Sequence, residues 1–282
     1  MELDSAATAP HPSEPIGYEF DRATAVTALG EGRYAGEIHD GWDIGGNANG
    51  GYVLAIAARA MQAASGRPDP VTITAHYLAP GPPGPVEIET RIVKVGKRFT
   101  TVGGSLVKDG RLTLQLLAAF GDQSQGTGEL LHRAGGAPEL PPIEQCAPRS
   151  TNNGMVEVPI MHRLAVWLHP DDAGFQADAR NGRAEIRGWF EFADRRPIDT
   201  LGLLLAADAF PPAVFNLDLP RGWVPTVELT VHVRGVPVPG PLRCRFTTRF
   251  VQGDAFEEDG EVWDSAGNLV ALSRQLALIA RG

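Results

Sequence analysis

"PVTITAHYLAPGPPGPVEIET" (residues 70–90) and "PTVELTVHVRGVPVPGPLRCRF" (residues 225–246) are two versions of one pattern. Setting His76 against His232, an offset of 156, brings Thr74 opposite Thr230 and the run Pro83, Gly84, Pro85 opposite Pro239, Gly240, Pro241. Val95 meets Val251 at the same offset, and "KDGRL" (108–112) answers "DSAGNL" (264–269) at 157, a one-residue slip within a turn. An internal repeat of this kind decides the architecture before any single element is assigned. In each copy a helical stretch comes first, "GGYVLAIAARAMQAA" (50–64) and "IDTLGLLLAADAF" (198–210), followed by an alternating strand, a Pro/Gly connection and three more β-rich segments. In the second copy Val227, Leu229, Val231 and Val233 point one way, and Thr226, Glu228, Thr230 and His232 the other, the period of a half-buried strand. Asp-Gly at 109–110 and Ala-Gly at 266–267 are hairpin turns by composition.

A helix followed by a long antiparallel sheet is satisfied when the sheet curls around the helix and buries its apolar stripe. The expected fold class is therefore α+β, with two tandem copies of a curled antiparallel sheet, each wrapped around a central helix. The expected boundaries are a polar tail at 1–20, a first copy at 21–125, a Pro/Gly-rich linker at 126–154 and a second copy at 155–282.

Composition excludes several classes of function. Hydrophobic residues make up 43% of the 282, enough for a core, and the net charge is −9 without a basic run or stripe, which argues against a nucleic-acid partner. The apolar runs "YVLAIAA" and "LGLLLAA" are too short to span a membrane. The N-terminal residues lack the pattern of a secretory signal. Cys146 and Cys244 are far apart and without ligand spacing, which fits a reduced, cytoplasmic setting and no metal site. No cofactor is expected. The absence of Gly-x-Ser-x-Gly disfavours an α/β-hydrolase.

One residue breaks the pattern. In "LGLLLAADAFPP" (201–212), Leu201, Leu204, Leu205 and Asp208 fall at i, i+3, i+4 and i+7, so a carboxylate lies on the apolar face. Such burial is costly unless something pairs with the acid.

The Gly-Gly helix start, "ITAHYLAPGPPGPVEIETRIVKVGKRFTTV" and "GEVWDSAGNLVALSRQLALI" resemble the acyl-CoA thioesterase II type of double-hotdog protein, from about residue 30 onward. The resemblance implies hydrolysis of acyl-CoA to free fatty acid and CoA. It implies one active constellation in the second copy: Asp208, Thr226 in "VPTVELTVHV" and Gln275 in "ALSRQLALI" holding and activating a water. The first copy departs from this pattern, with no acid between residues 50 and 64 and Ala118 opposite Gln275.

In chemical terms Asp208 is the candidate base. Pro211 and Pro212 should end its helix, leaving it in the last turn, where burial and the helix dipole both raise its pKa. Direct attack by Asp208 to give an anhydride remains an alternative. Thr226 and Gln275 offer donors and acceptors to orient the water, and Gln275 shares a face with Leu269, Ala271, Ser273 and Ala277. The amides of Gly50 and Gly51 are candidate oxyanion donors, with Asn47 or Asn49 capping the helix. Lys97 and Arg98 are candidate partners for the CoA phosphates, and Trp223 for the groove wall. His76 and His232, matched across the repeat, point to a structural role. A non-catalytic acyl-CoA binder and a hotdog hydratase or dehydratase are the competing readings, although the Gly-Asp-x-Asn-Pro-x-x-His-like run of the latter is absent. The shared sheet favours a homodimer or a higher even assembly.

Overall fold

The computed structural model describes residues 17–124, 132, 134–152, 157–220 and 222–279. The first copy opens with α1 (Glu19–Ala23), β1 (Val26–Gly30), β2 (Arg33–Ile38) and a small ribbon of β3 (Asp43–Ile44) and β4 (Asn47–Ala48). Helix α2 (Gly50–Ser65) follows, then β5 (Asp69–Tyr77), β6 (Gly84–Val95), β7 (Thr100–Lys108) and β8 (Arg111–Gly121). The second copy contains β9 (Ala147–Pro148), β10 (Leu164–Leu168), β11 (Glu185–Phe192), α3 (Gly202–Ala206), β12 (Thr226–Val233), β13 (Leu242–Thr247), β14 (Val251–Gln252), β15 (Ala255–Trp263) and β16 (Leu269–Leu278). Among the described residues all of these strands except the β3–β4 ribbon form one antiparallel sheet in the order β1-β2-β6-β7-β8-β5-β12-β16-β15-β13-β11-β10-β9, with β14 beside β15.

The repeat explains this order. Strands β5 and β12 are the same element of the two copies, and they pair at the centre of the sheet with Thr74 opposite Thr230. Their hydroxyls lie 2.8 Å apart. These two residues are related by the repeat offset itself, so a pseudo-twofold axis passes between them and joins the halves into a double hotdog. The turn glycines obey the same relation: Gly84 and Gly240 have φ of 125° and 128°, and Gly110 and Gly267 have 73° and 79°. Each sits in backbone space that a side chain disfavours.

Helix α2 is buried nearly all round, from Gly51 to Met61, as a helix apolar on every side should be. Asn49 caps its start by accepting the Tyr52 amide, and Gly66, with φ of 63°, ends it.

The second copy corrects the expected helix at 198–210. Only Gly202–Ala206 is α-helical, because Asp199 Oδ1 accepts the Gly202 amide at 2.7 Å and so starts the helix late. Pro211 and Pro212 bar any extension beyond Phe210. Short 3₁₀ turns lie at Pro159–His162, Gly174–Ala177 and Ala213–Asn216. Strands β1, β2, β10 and β11, which precede each helix, extend the expected sheet at both edges. Phe20 is fully buried although it lies in the stretch expected to be a polar tail, and β9 pairs with β10 from within the expected linker. Residues 1–16 of the expected tail and 126–131 of the expected linker lie outside the described residues.

Candidate active site

The first turn of α2 crosses the end of α3 at close range. A Cβ on Gly51 would come within 2.8 Å of the Leu204 carbonyl and 3.0 Å of Leu205 Cα. That proximity aims the free amides of the α2 N-terminus at Asp208, which lies just beyond α3. Gly51 N–H donates to Asp208 Oδ2 at 2.8 Å, and Asn49 Nδ2 donates to the same oxygen at 2.8 Å and to the Asp208 carbonyl at 2.9 Å. Asn49 therefore caps α2 with its oxygen and holds the acid with its nitrogen.

This arrangement differs from the expected one. The Gly50 and Gly51 amides were expected to face a substrate oxyanion; the Gly51 amide instead holds the Asp208 carboxylate, and that of Gly50 also favours its charged form. The electrostatics change accordingly. Burial pushes the Asp208 carboxyl up to about 6, against the pull of the Gly51 amide, the Arg149 charge, the Asn49 amide and the Gly50 amide. The raised pKa is the expected direction, but it results from desolvation prevailing over a favourable helix end.

Asp208, Thr226 and Gln275 line a single cavity of about 340 Å³, together with Asn49, Gly50, Tyr77 and Arg149. Asn47 also lines it, without being the α2 cap. Thr226 gets there by a route the alternation did not reveal. The simple period put it on the outer face with His232. A bulge between Thr226 and Glu228 resets the register, so that Thr226 pairs with buried Ala277 while Leu229 pairs with Gln275. Bulges commonly re-aim a side chain beside a functional site. The apolar part of the cavity wall includes Val53, Leu114, Phe210, Phe246 and Trp223, so Trp223 stands where the sequence placed it.

Lys97 and Arg98 do not join this site. They occupy the β6–β7 turn, where the Gly96 and Lys97 carbonyls accept Arg67 Nη2, next to the C-terminal end of α2. A helix of 16 residues is about 24 Å long, and Asp208 is at its other end. His76 and His232 are exposed on the outer face of the sheet.

Among the cavity residues that the sequence did not single out, two carry charge-bearing groups of opposite kind, Arg149 and Glu258. Arg149 lies in the expected linker; its Nη1 donates to the Ala209 carbonyl, and burial lowers its pKa to about 10 while Asp208 raises it. No local motif marks it. Glu258 lies in β15, and the period-2 pattern of Phe256, Glu258, Gly260 and Val262, all buried, would have placed it inward. Among the described residues no cluster of three or more His, Cys, Asp or Glu side chains could hold a metal ion, and no helix is long and apolar enough to cross a membrane.

The acyl-CoA thioesterase C-terminal domain family matches residues 143–279, and the corresponding N-terminal domain family matches residues 38–121. This chain belongs to the acyl-CoA thioesterase family. A thioesterase II candidate from Thermobifida fusca YX is 35% identical in sequence, with a TM-score of 0.85, over 95% of this chain and 100% of that one. An uncharacterized protein of Mycobacterium tuberculosis is 30% identical over 266 residues, 87% of this chain and 90% of its own. The fold is shared with an acyl-CoA thioesterase II from Mycobacterium marinum, at 16% identity and a TM-score of 0.67, over 93% of this chain and 98% of that one.

Asn49→Ala should have two separable effects on this cavity. Loss of the α2 cap should cost about 1 kcal/mol in urea denaturation. Loss of a donor to the charged carboxylate should raise the Asp208 pKa further above about 6, read by NMR titration of its side-chain carboxyl.

Proposed function

We propose that this chain hydrolyses acyl-CoA thioesters to a free carboxylic acid and CoA, with Asp208 as general base toward a water oriented by Thr226 and Gln275. The observation that carries this reading is the Asp208 carboxyl itself, half-buried at a cavity, pinned through Oδ2 by Asn49 and Gly51, and poised near neutrality. The Asn49 and Gly51 bonds leave Oδ1 to meet a water. A base with a pKa near the working pH combines a high ionised fraction with useful proton affinity. The apolar wall suits an acyl chain, and a preformed pocket of this size is within the ordinary range for small-ligand sites. The Arg149 charge favours the ionised base, and from the cavity wall it would also favour the negative charge that develops at the thioester.

The test is release of free thiol from a panel of acyl-CoAs of differing chain length. Turnover by the wild type supports the proposal, and saturable binding without turnover would instead identify a non-catalytic binder. Because the base acts when ionised, kcat/KM should fall tenfold per unit as pH drops below about 6. Gln275→Ala should lower kcat on the order of a hundredfold, the usual scale for losing a positioned polar donor.

A homodimer or higher even assembly is part of the same proposal. Leu117 and Leu276 are 55% and 41% exposed on the outer face of the central sheet, where a second copy would cover them. Sedimentation showing only monomer at micromolar concentration would overturn it. A reduced cytoplasmic setting fits two buried cysteines that are not joined to each other.

A further inference from the structure

We propose that Glu258 is a second working carboxyl of this cavity, the acid that passes a proton to the sulfur as the thiolate leaves. The inference rests on the hydrolytic reading above. Glu258 on β15 is directly opposite Gln275 on β16, which is in turn opposite Leu229 on β12. Side chains in such cross-strand pairs leave the backbone about 5 Å apart and on the same face. Glu258 and Gln275 both line the cavity that holds Asp208, and each is 8% exposed.

One oxygen of the carboxyl is already committed. The Ala213 amide donates to Glu258 Oε2 at 2.6 Å. Ala213 follows the Pro211–Pro212 pair that ends the Asp208 segment, so one short stretch of chain fixes both carboxyls. With Oε2 as acceptor, the proton of a neutral carboxyl resides on Oε1, for which the described residues supply no hydrogen-bond partner. The other titratable groups at the cavity are Asp208, Arg149 and Tyr77, while Asp259 on the same strand pairs with Arg274. Burial, opposed by the Ala213 amide and reinforced by the charges of Asp208 and Asp259, pushes Glu258 up to about 8. Near pH 7 the two carboxyls thus hold opposite protonation states, the arrangement an acid–base pair requires.

The step balances. As the water oxygen bonds to the thioester carbon, Asp208 takes its proton. Collapse of the adduct breaks the C–S bond, and the electron pair leaving on sulfur receives the Glu258 proton. The proton on Asp208 then returns to Glu258 through cavity water, and the net change is thioester plus water to acid plus thiol. A cysteine thiol ionises near pH 8.5, and an alkyl thiol without the inductive pull of a neighbouring backbone is less acidic still, so the transfer from Glu258, near 8, runs downhill to the departing thiolate.

Glu258→Gln keeps an acceptor for Ala213 and removes the transferable proton. The experiment compares it with wild type on an acyl-CoA and on the same acyl group carried by thionitrobenzoate, whose thiolate leaves without help. The variant should lose roughly a hundredfold in kcat on acyl-CoA, less than about threefold on the aryl thioester, and the alkaline limb above about pH 8. Equal losses on both substrates, or an unchanged profile, would overturn the proposal. Glu258→Asp, which retains a proton, should keep an alkaline limb even if the glutamine variant folds poorly; its absence would count against the acid role. Wild type inert toward both substrates would overturn the hydrolytic reading and this proposal together. Wild type active with an indifferent Glu258→Gln would overturn this one alone.

Discussion

Asp208→Asn is expected to lower kcat for acyl-CoA by at least about a hundredfold, the scale of losing a general base, while leaving the protein as stable as the wild type or more so near pH 7. The second half of that expectation separates chemistry from architecture. Asparagine still accepts the Gly51 amide, but it does not ionise in the cavity. A carboxyl with a folded-state pKa of about 6, raised from 3.8, binds its proton more tightly when folded. Its contribution to stability is therefore largest at low pH and declines as pH rises from about 4 through about 6. Above that window the ionised group opposes folding by an amount on the order of 3 kcal/mol. The asparagine variant should lack this pH dependence in denaturant titrations. A variant both inactive and markedly less stable would return Asp208 to a structural role.

Gly51→Ala should damage the protein more than its size suggests. Inside a helix, alanine ordinarily stabilises by about 1 kcal/mol over glycine. At residue 51 the added methyl would meet the Leu204 carbonyl at 2.8 Å, Asp208 Cβ at 2.9 Å and Leu205 Cα at 3.0 Å. Two of those atoms are backbone, which cannot rotate away. Separation of α2 and α3 should cost about 1–3 kcal/mol, the usual range for overpacking, and lower Tm by several degrees. It would also shift the acid relative to its cavity, and a displacement of about 1 Å can cost on the order of a hundredfold in rate. Calorimetry and thiol release on the same preparation check both effects. A variant with raised Tm and full activity would mean that the helix crossing is not what positions Asp208.

How much of this was legible in the sequence depends on whether the information was local. The repeat was, because both copies must form the same turns: Gly84 and Gly240 share one backbone conformation for one reason. The placement of Asp208 on an apolar face was legible from spacing alone. The length of α3 was not, since its late start depends on the Asp199 carboxylate taking the Gly202 amide, which the apolar spacing does not express. The entry of Thr226 into the cavity depends on a bulge, which a strict period of two cannot express. The target of the Gly51 amide was hidden as well. A helix N-terminus indicates that an anion is wanted, but not that the protein supplies its own carboxylate. Lys97 and Arg98 were chosen for charge, and charge in a turn says nothing about which end of α2 the turn occupies.

The most direct test of the central claim is a single turnover with enzyme in excess over acyl-CoA in ¹⁸O-enriched water, followed by mass analysis of the acid and of the peptide containing Asp208. If Asp208 activates a water, the label enters the released acid in the first turnover and Asp208 carries none. Label in the Asp208 carboxyl, with an unlabelled first-turnover acid, would contradict the general-base account in favour of an anhydride, and failure of the thioester to cleave would contradict hydrolysis itself.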